Sequence, residues 1–162
     1  MNAEDLCFLP ATELAVEISS RNVSPVEVIT TVIERIERLE PKINAFSAFT
    51  PDRALEDARA AEEAIQRGDA LGPLHGVPMT VKESYNVAGL PTTFGIPDYA
   101  QNIATEDALS IRRLKAAGAI IFGKTNVPIR LADFQSYNEI YGTTNNPYDL
   151  ERVPGGSSGG SA

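Results

Sequence analysis

The first part of the chain has apolar residues at the three- and four-residue spacing of amphipathic helices. Residues 12–22 predict a short helix with one apolar face. Ser24 followed by Pro25 predicts the start of a second helix, because serine caps a helix N-terminus and proline suits its first turn. A long apolar stripe follows, and we expect this second helix to end at Pro41.

A strand and a third helix are predicted next. Residues 43–49 alternate between apolar and polar positions in the manner of an edge strand. The segment from Pro51 to about Gly68 is rich in alanine and charged residues, which is typical of a surface helix. These patterns together predict a helical N-terminal region over residues 1–70.

The pattern changes after this region, and residues 71–162 read as the first part of an α/β core. Apolar runs at 77–81 and 119–122 predict strands on either side of a helix over 105–117. A strand, loop, helix and strand in this order imply a parallel or mixed sheet covered by helices. The remainder, residues 126–160, is rich in Pro, Gly, Asn and Ser and predicts long loops, where functional residues often lie.

Composition narrows the classes of function. The net charge of −8 and the pI of about 4.7 disfavour a nucleic-acid-binding face, and no apolar run is long enough to span a bilayer. A lone cysteine, Cys7, and a lone histidine, His75, disfavour a disulfide and a metal site. We therefore expect a cytoplasmic protein that needs neither a metal nor a disulfide. The sequence leaves the oligomeric state open, with a homodimer among the options.

Residues Gly118–Thr125 match the phosphate-loop pattern G-x-x-x-x-G-K-[ST]. That loop requires a strand before its first glycine and a helix that starts at its lysine. Here a predicted helix comes first, and the residues between the glycines are of strand type. Pro128 also disfavours a helix after Lys124. We therefore predict a buried strand rather than a nucleotide site.

Residues Gly156–Gly160 match a second pattern, the G-x-S-x-G nucleophile elbow of α/β-hydrolases. The elbow requires a strand directly before it and a histidine later in the chain. The preceding residues are polar and contain proline, and His75 lies upstream. We therefore do not assign the chain to the α/β-hydrolases.

The glycine- and serine-rich segment nevertheless has the composition of a site, since glycine permits close backbone approach and serine supplies a hydroxyl that can pass protons. Lys82 is a second candidate, because it directly follows an apolar strand at a place where side chains are often buried. Burial disfavours the charged form of a lysine, which can then act as a base towards a serine without any histidine.

Four segments that follow one another in the chain carry a family resemblance. They are Gly76–Glu83, Gly123–Pro128, Gly142–Pro147 and Pro154–Gly160. Their order resembles the first part of the amidase-signature family, whose members are Ser–cis-Ser–Lys amide hydrolases. The resemblance implies an α/β fold of that family. It also implies hydrolysis of a small-molecule amide to an acid and ammonia or an amine, through a serine acyl-enzyme and without a cofactor.

The resemblance also implies roles for individual residues. Lys82 would be the base, and Ser157, after a cis peptide bond, would relay a proton between Lys82 and the nucleophilic serine. That nucleophile would lie beyond Ala162, so that the chain would be an N-terminal portion that is inactive alone. Leu131 and its neighbours in Asn126–Ser136 would line the acyl pocket, although ordinary core packing explains a leucine equally well. The glycine-rich loop around the cis bond would comprise Gly155, Gly156, Ser158 and Gly159.

Two alternatives stay open at this point. One is a catalytically silent chain, either a truncated product or a subunit that needs a partner polypeptide. The other is an amidotransferase subunit, which we favour less. That branch typically carries Met-Asp-Glu-Phe where this chain has Val127–Leu131. The identity of the amide substrate is not given by the sequence.

Overall fold

The computed structural model describes residues 2–162. Within that range the helices are α1 (Ala3–Phe8), α2 (Ala11–Ser19), α3 (Pro25–Ile43), α4 (Pro51–Arg67) and α5 (Leu109–Ala116). The strands are β1 (Phe46–Phe49), β2 (Pro78–Lys82), β3 (Ile120–Thr125), β4 (Tyr137–Asn138) and β5 (Gly142–Thr143). None of the helices in the described part of the chain has the length and apolar character needed to cross a membrane.

The start of α3 is confirmed and its end is not. Ser24 Oγ accepts a hydrogen bond from Val26 N at 3.0 Å, so that it caps the helix as predicted. The helix continues past Pro41 to Ile43. Proline is tolerated here because only one turn is left, and that turn is closed by a bond of 2.8 Å from Asn44 N to Glu40 O.

The helix predicted over residues 105–117 begins later, at Leu109. The preceding residues bond instead to the loop before them. The Asp107 carboxylate accepts from Ala88 N at 2.8 Å, and Ala108 N donates to Asn86 O at 2.9 Å. These bonds fix a non-helical conformation at residues 105–108.

The three longer strands form one sheet in the order β1-β3-β2, with β1 at an edge as predicted. Strand β1 is antiparallel to β3, and Phe46 lies opposite Thr125. Strand β2 runs parallel to β3, since Ile120 N donates to Val77 O near one end and Glu83 N donates to Thr125 O near the other. The prediction of a mixed sheet with helices is therefore confirmed. Strands β4 and β5 form a separate antiparallel pair.

All of β3 is buried, including Lys124, the lysine of the phosphate-loop match. Lys124 lies within a strand and not at the start of a helix. The prediction of a buried strand over residues 119–122 is therefore confirmed from Ile120 onwards, and the strand extends further to Thr125.

Residue contacts divide the chain into two compact units that interleave along the sequence. Unit 1 comprises residues 1–37, 50–79 and 112–122, and unit 2 comprises residues 38–49, 80–111 and 123–162. The units do not follow the boundary predicted after residue 70, because residues 112–122 bond to residues 72–79, for example through Leu74 N and Ala117 O. A division into domains 1–70 and 71–162 stays a prediction.

An apolar cluster forms the core of unit 1 and holds its helices together. Its buried members are Leu6, Leu14, Ile18, Val23, Val28, Ile65 and Val77. In the same unit His75 Nε2 lies 2.9 Å from Ala61 O, so that the lone histidine has the structural hydrogen bond expected of a loop residue. The glycine-rich segment and the residues around it belong to unit 2, where the candidate site lies.

Candidate active site

A lysine and a serine from distant parts of the sequence meet in unit 2. Lys82, the last residue of β2, is half-buried, and its Nζ donates a hydrogen bond of 2.7 Å to Ser157 Oγ. Ser157 is half-buried as well. Lys82 is positioned by the end of strand β2, and Ser157 is positioned by an irregular loop. This pair can pass a proton between its two members.

The backbone around Ser157 has an unusual shape. The Gly156–Ser157 peptide bond is cis, at the position that the family resemblance implies. A Cβ atom on Gly156 would lie 2.3 Å from Asp133 O, so that only glycine fits against that carbonyl. Gly155 has a φ of +100°, in the region that favours glycine. The sequence Gly155-Gly156 is therefore what allows the loop to present Ser157 to Lys82.

The residues after Ser157 are fixed by hydroxyl groups that the sequence did not single out. Ser158 is exposed, whereas Gly159 is buried and its N–H donates to Ser136 Oγ at 3.0 Å. Ser136 is itself fully buried. Further along, Ser161 Oγ lies 2.6 Å from Thr125 Oγ1 of β3. The glycine-rich loop is thus tied to the sheet at its far end.

Asn126, which directly follows β3, is a buried hub that was also missed. Its Nδ2 donates to Thr144 Oγ1 at 3.0 Å, and its Oδ1 accepts from Asn138 Nδ2 at 2.9 Å. Its backbone N–H donates to Ala45 O at 2.8 Å. The sequence placed Asn126 in the Gly123–Pro128 segment and in the segment expected to line the acyl pocket, but neither indicates which hydrogen-bond partners Asn126 has.

A buried network of charged and polar groups begins at the residue after Lys82, and it was not predicted. Glu83, the residue after Lys82, is fully buried, and so is Lys124. The Glu83 carboxylate accepts from the backbone N–H groups of Thr93 and Phe94, and Tyr141 OH donates to it at 3.4 Å. Lys124 Nζ donates to Pro91 O and, at 2.8 Å, to Thr92 Oγ1.

Burial and the charge of Glu83 set the titration of two groups in this network. Burial lowers the pKa of Lys124 from 10.5 to about 8, and the nearby Glu83 carboxylate opposes part of that effect. The pKa of the Tyr141 hydroxyl is raised, chiefly by burial and further by Glu83, while a hydrogen bond with Thr93 works against the rise.

Leu131, expected in the acyl pocket, lies in a 3₁₀ turn over Ile129–Leu131 and is half-buried. It has a φ of +59°, which is uncommon for a leucine, and the adjacent Arg130 has a φ of +57°. Leu131 is not part of the Lys82–Ser157 hydrogen bond, and its N–H donates to Pro128 O at 3.0 Å. Its role in binding an acyl group stays a prediction.

The chemistry that the site offers is proton transfer between a lysine and a serine. Within residues 2–162, no group of three or more His, Cys, Asp or Glu side chains is arranged to hold a metal ion. The Lys82 amine and the Ser157 hydroxyl share a hydrogen bond and can hand a proton to each other.

Comparisons of the chain with a family model and with known proteins agree on one family. Residues 27–162 match the model of the amidase family. The chain is 42% identical over 158 residues to an acylamidase from Rhodococcus erythropolis, in an alignment covering 98% of this chain and 33% of that protein. It is also 42% identical over 158 residues to a glutamyl-tRNA(Gln) amidotransferase subunit from Carboxydothermus hydrogenoformans, again covering 98% of this chain and 33% of that protein.

A solved structure gives the same result for the fold. A fatty acid amide hydrolase superimposes with a TM-score of 0.93 and 30% identity, covering 98% of this chain and 28% of that chain. The predicted α/β fold of the amidase-signature family is therefore confirmed. The chain spans about a third of the length of the curated relatives it matches.

Proposed function

The chain belongs to the amidase-signature family, and we propose that the protein containing it hydrolyses a carboxylic acid amide to the acid and ammonia or an amine. The observation that carries this proposal is the hydrogen bond of 2.7 Å between Lys82 Nζ and Ser157 Oγ. A lysine and a serine in contact, next to backbone that only glycine can form, suit proton transfer to and from a nucleophilic serine. No cofactor enters the proposed reaction.

The proposed reaction has two steps that use the same pair. In the first, a serine located beyond Ala162 attacks the amide carbonyl carbon. Its proton passes to Ser157, whose own proton passes to the Lys82 amine. The proton then returns to the leaving nitrogen, the C–N bond breaks, and ammonia or an amine departs. In the second, water attacks the acyl-enzyme by the same relay and releases the acid.

The remaining parts of the proposal concern residues around the pair. Gly155, Gly156, Ser158 and Gly159 shape the loop that carries Ser157, and Leu131 lines the acyl pocket. Since the nucleophile lies outside residues 1–162, this chain alone is inactive. A cytoplasmic location and a homodimer stay predictions from the sequence.

A second candidate, an amidotransferase subunit, is supported by the identity of 42% to the glutamyl-tRNA(Gln) amidotransferase subunit of Carboxydothermus hydrogenoformans. The Val127–Leu131 segment weighs against it, because it lacks the Met-Asp-Glu-Phe residues typical of that branch. The silent-chain alternative also has to be tested, since it predicts the same fold without turnover.

Ammonia release by the full-length protein that includes this chain separates the three candidates. The substrates are acetamide, hexanamide, benzamide and glutamine, each tested first without and then with added amidotransferase partner subunits. The amidase proposal predicts turnover of at least one amide other than glutamine. Turnover of glutamine alone, raised by amidotransferase partner subunits, would favour the second candidate. No turnover of any amide would favour the silent chain.

A further inference from the structure

The residue after the proposed base points into a different environment from the base itself. Successive residues along a strand direction point to opposite faces. Lys82 reaches Ser157, whereas the Glu83 carboxylate is fully buried and bonds to residues 93 and 94. The Glu83 N–H is fixed by a bond of 3.0 Å to Thr125 O of β3. Glu83 therefore connects the end of β2 to a loop that the proposed mechanism does not use.

That loop, Pro91–Gly95, is held by two opposite charges. Lys124 binds its first half, through Pro91 O and Thr92 Oγ1. Glu83 binds its second half, through the N–H groups of Thr93 and Phe94. A carboxylate can accept from two backbone donors at once and an ammonium can donate to two acceptors, so each charge fixes two points of the loop.

The same loop contacts the Ile129–Leu131 turn, which is the segment proposed to bind the acyl group. Phe94 O accepts from Arg130 N at 2.7 Å, and Phe94 itself has a φ of +53°. At Gly95 the backbones are so close that an added Cβ would lie 3.0 Å from Ile129 Cα. The position of the Ile129–Leu131 turn thus depends on where the loop lies.

A purely structural loop anchor would not require two buried charges. Burying a carboxylate and an ammonium costs free energy, and replacing such pairs by apolar residues is often neutral or stabilising. The pair therefore suits a requirement for a fixed geometry more than a requirement for stability. The Glu83 carboxylate favours the charged form of Lys124, so that removal of Glu83 weakens both anchors of the loop and the two should behave as one unit.

We propose that Glu83 and Lys124 are positioning residues that clamp the Pro91–Gly95 loop and thereby set the Ile129–Leu131 turn for binding the acyl part of the substrate. This inference rests on the proposed amidase function. It assigns the clamp an effect on acyl selectivity and leaves the proton relay to Lys82 and Ser157.

The kinetic test compares acetamide with hexanamide in the full-length protein. Glu83→Gln keeps the size of the side chain but removes its charge and one acceptor, and Lys124→Met keeps the length without the charge. Each should lower the ratio of kcat/KM for hexanamide to that for acetamide by about tenfold, mainly through a higher KM. Lys82→Ala should lower kcat/KM for both substrates by the same factor. Glu106→Gln, at an exposed residue, should change kcat/KM for neither.

The double variant tests whether the two residues act as one clamp. Glu83→Gln combined with Lys124→Met should alter the selectivity ratio no more than the larger single effect. Additive losses in the double variant, or equal losses for both substrates in the single variants, would overturn the proposal.

Hydrogen exchange tests the clamp without relying on turnover. In Glu83→Gln, the amide of Arg130 should exchange at least about tenfold faster, although Glu83 does not bond to it, because the loop that holds it is released. If these variants do not fold, hydrogen exchange of the wild type still tests the clamp. The amides of Thr93, Phe94 and Arg130 should then show protection factors that agree to within about threefold. Unequal protection, or an unchanged Arg130 amide, contradicts the clamp. Absence of amide turnover by the wild type contradicts the proposed function only.

Discussion

Replacement of the buried Lys124 should change how stability depends on pH. Lys124 is fully buried in β3, and burial lowers its pKa from 10.5 to about 8. Between these two values the unfolded chain holds a proton that the folded chain has released. The free energy of unfolding of the wild type therefore rises with pH in this window, because the unfolded state binds more protons.

The magnitude follows from the two pKa values. A full difference of this size corresponds to about 3 kcal/mol, of which about 2 kcal/mol should be gained between about pH 7 and about pH 9.5. The window stops there because the raised pKa of Tyr141 acts in the opposite direction above its ordinary value of 10.0. Lys124→Met removes the titrating group, and with it this gain.

The assay is urea unfolding of the wild type, Lys124→Met and the exposed Lys42→Met at both ends of the window, followed by circular dichroism. The wild type and Lys42→Met should become more stable relative to Lys124→Met by about 2 kcal/mol as the pH rises. Parallel pH profiles for the wild type and Lys124→Met would refute the reasoning, and so would a gain of the opposite sign.

Three further predictions concern the glycine-rich loop and the chain as a whole. Gly156→Ala should lower the free energy of unfolding by about 2–4 kcal/mol and abolish turnover, because the new Cβ would meet Asp133 O. Gly89→Ala, whose Cβ would meet open space, should lower the free energy of unfolding by about 1 kcal/mol in the same urea titration. Ser136→Ala should cost about 1–3 kcal/mol, since it leaves the buried Gly159 N–H without its acceptor, and an unchanged unfolding midpoint would contradict this. Residues 1–162 alone should release no ammonia from simple amides, and steady turnover that is lost in Ser157→Ala would show that the nucleophile has been wrongly placed.

The sequence predicted the proposed catalytic pair more readily than its surroundings. Lys82 and Ser157 lie in segments whose order indicates the family, so both can be named from the sequence alone. Glu83 and Lys124 could not be paired in the same way, because β3 reads as an apolar strand and nothing in it indicates which loop its lysine binds. Buried polar partners of this kind depend on tertiary contacts between residues far apart in sequence.

The errors at helix ends have a similar cause. Pro41 was expected to end α3, but in the last turn a proline is tolerated when a later backbone bond closes the helix. The start of α5 at Leu109 depends on bonds from residues 107 and 108 to the loop at residues 86–88. Such competing bonds are formed by the folded chain and leave no periodic pattern in the sequence.

The most direct test of the central claim is the kinetics of Lys82→Ala, Ser157→Ala and their combination in the full-length protein. Each single variant should lower kcat/KM for its best amide by about 10²–10⁴-fold with the fold intact, because each removes one member of the proton relay. The combined variant should lose no more than the worse single variant, since the two residues act on the same proton. A kcat/KM near the wild-type value in folded Lys82→Ala would contradict the account.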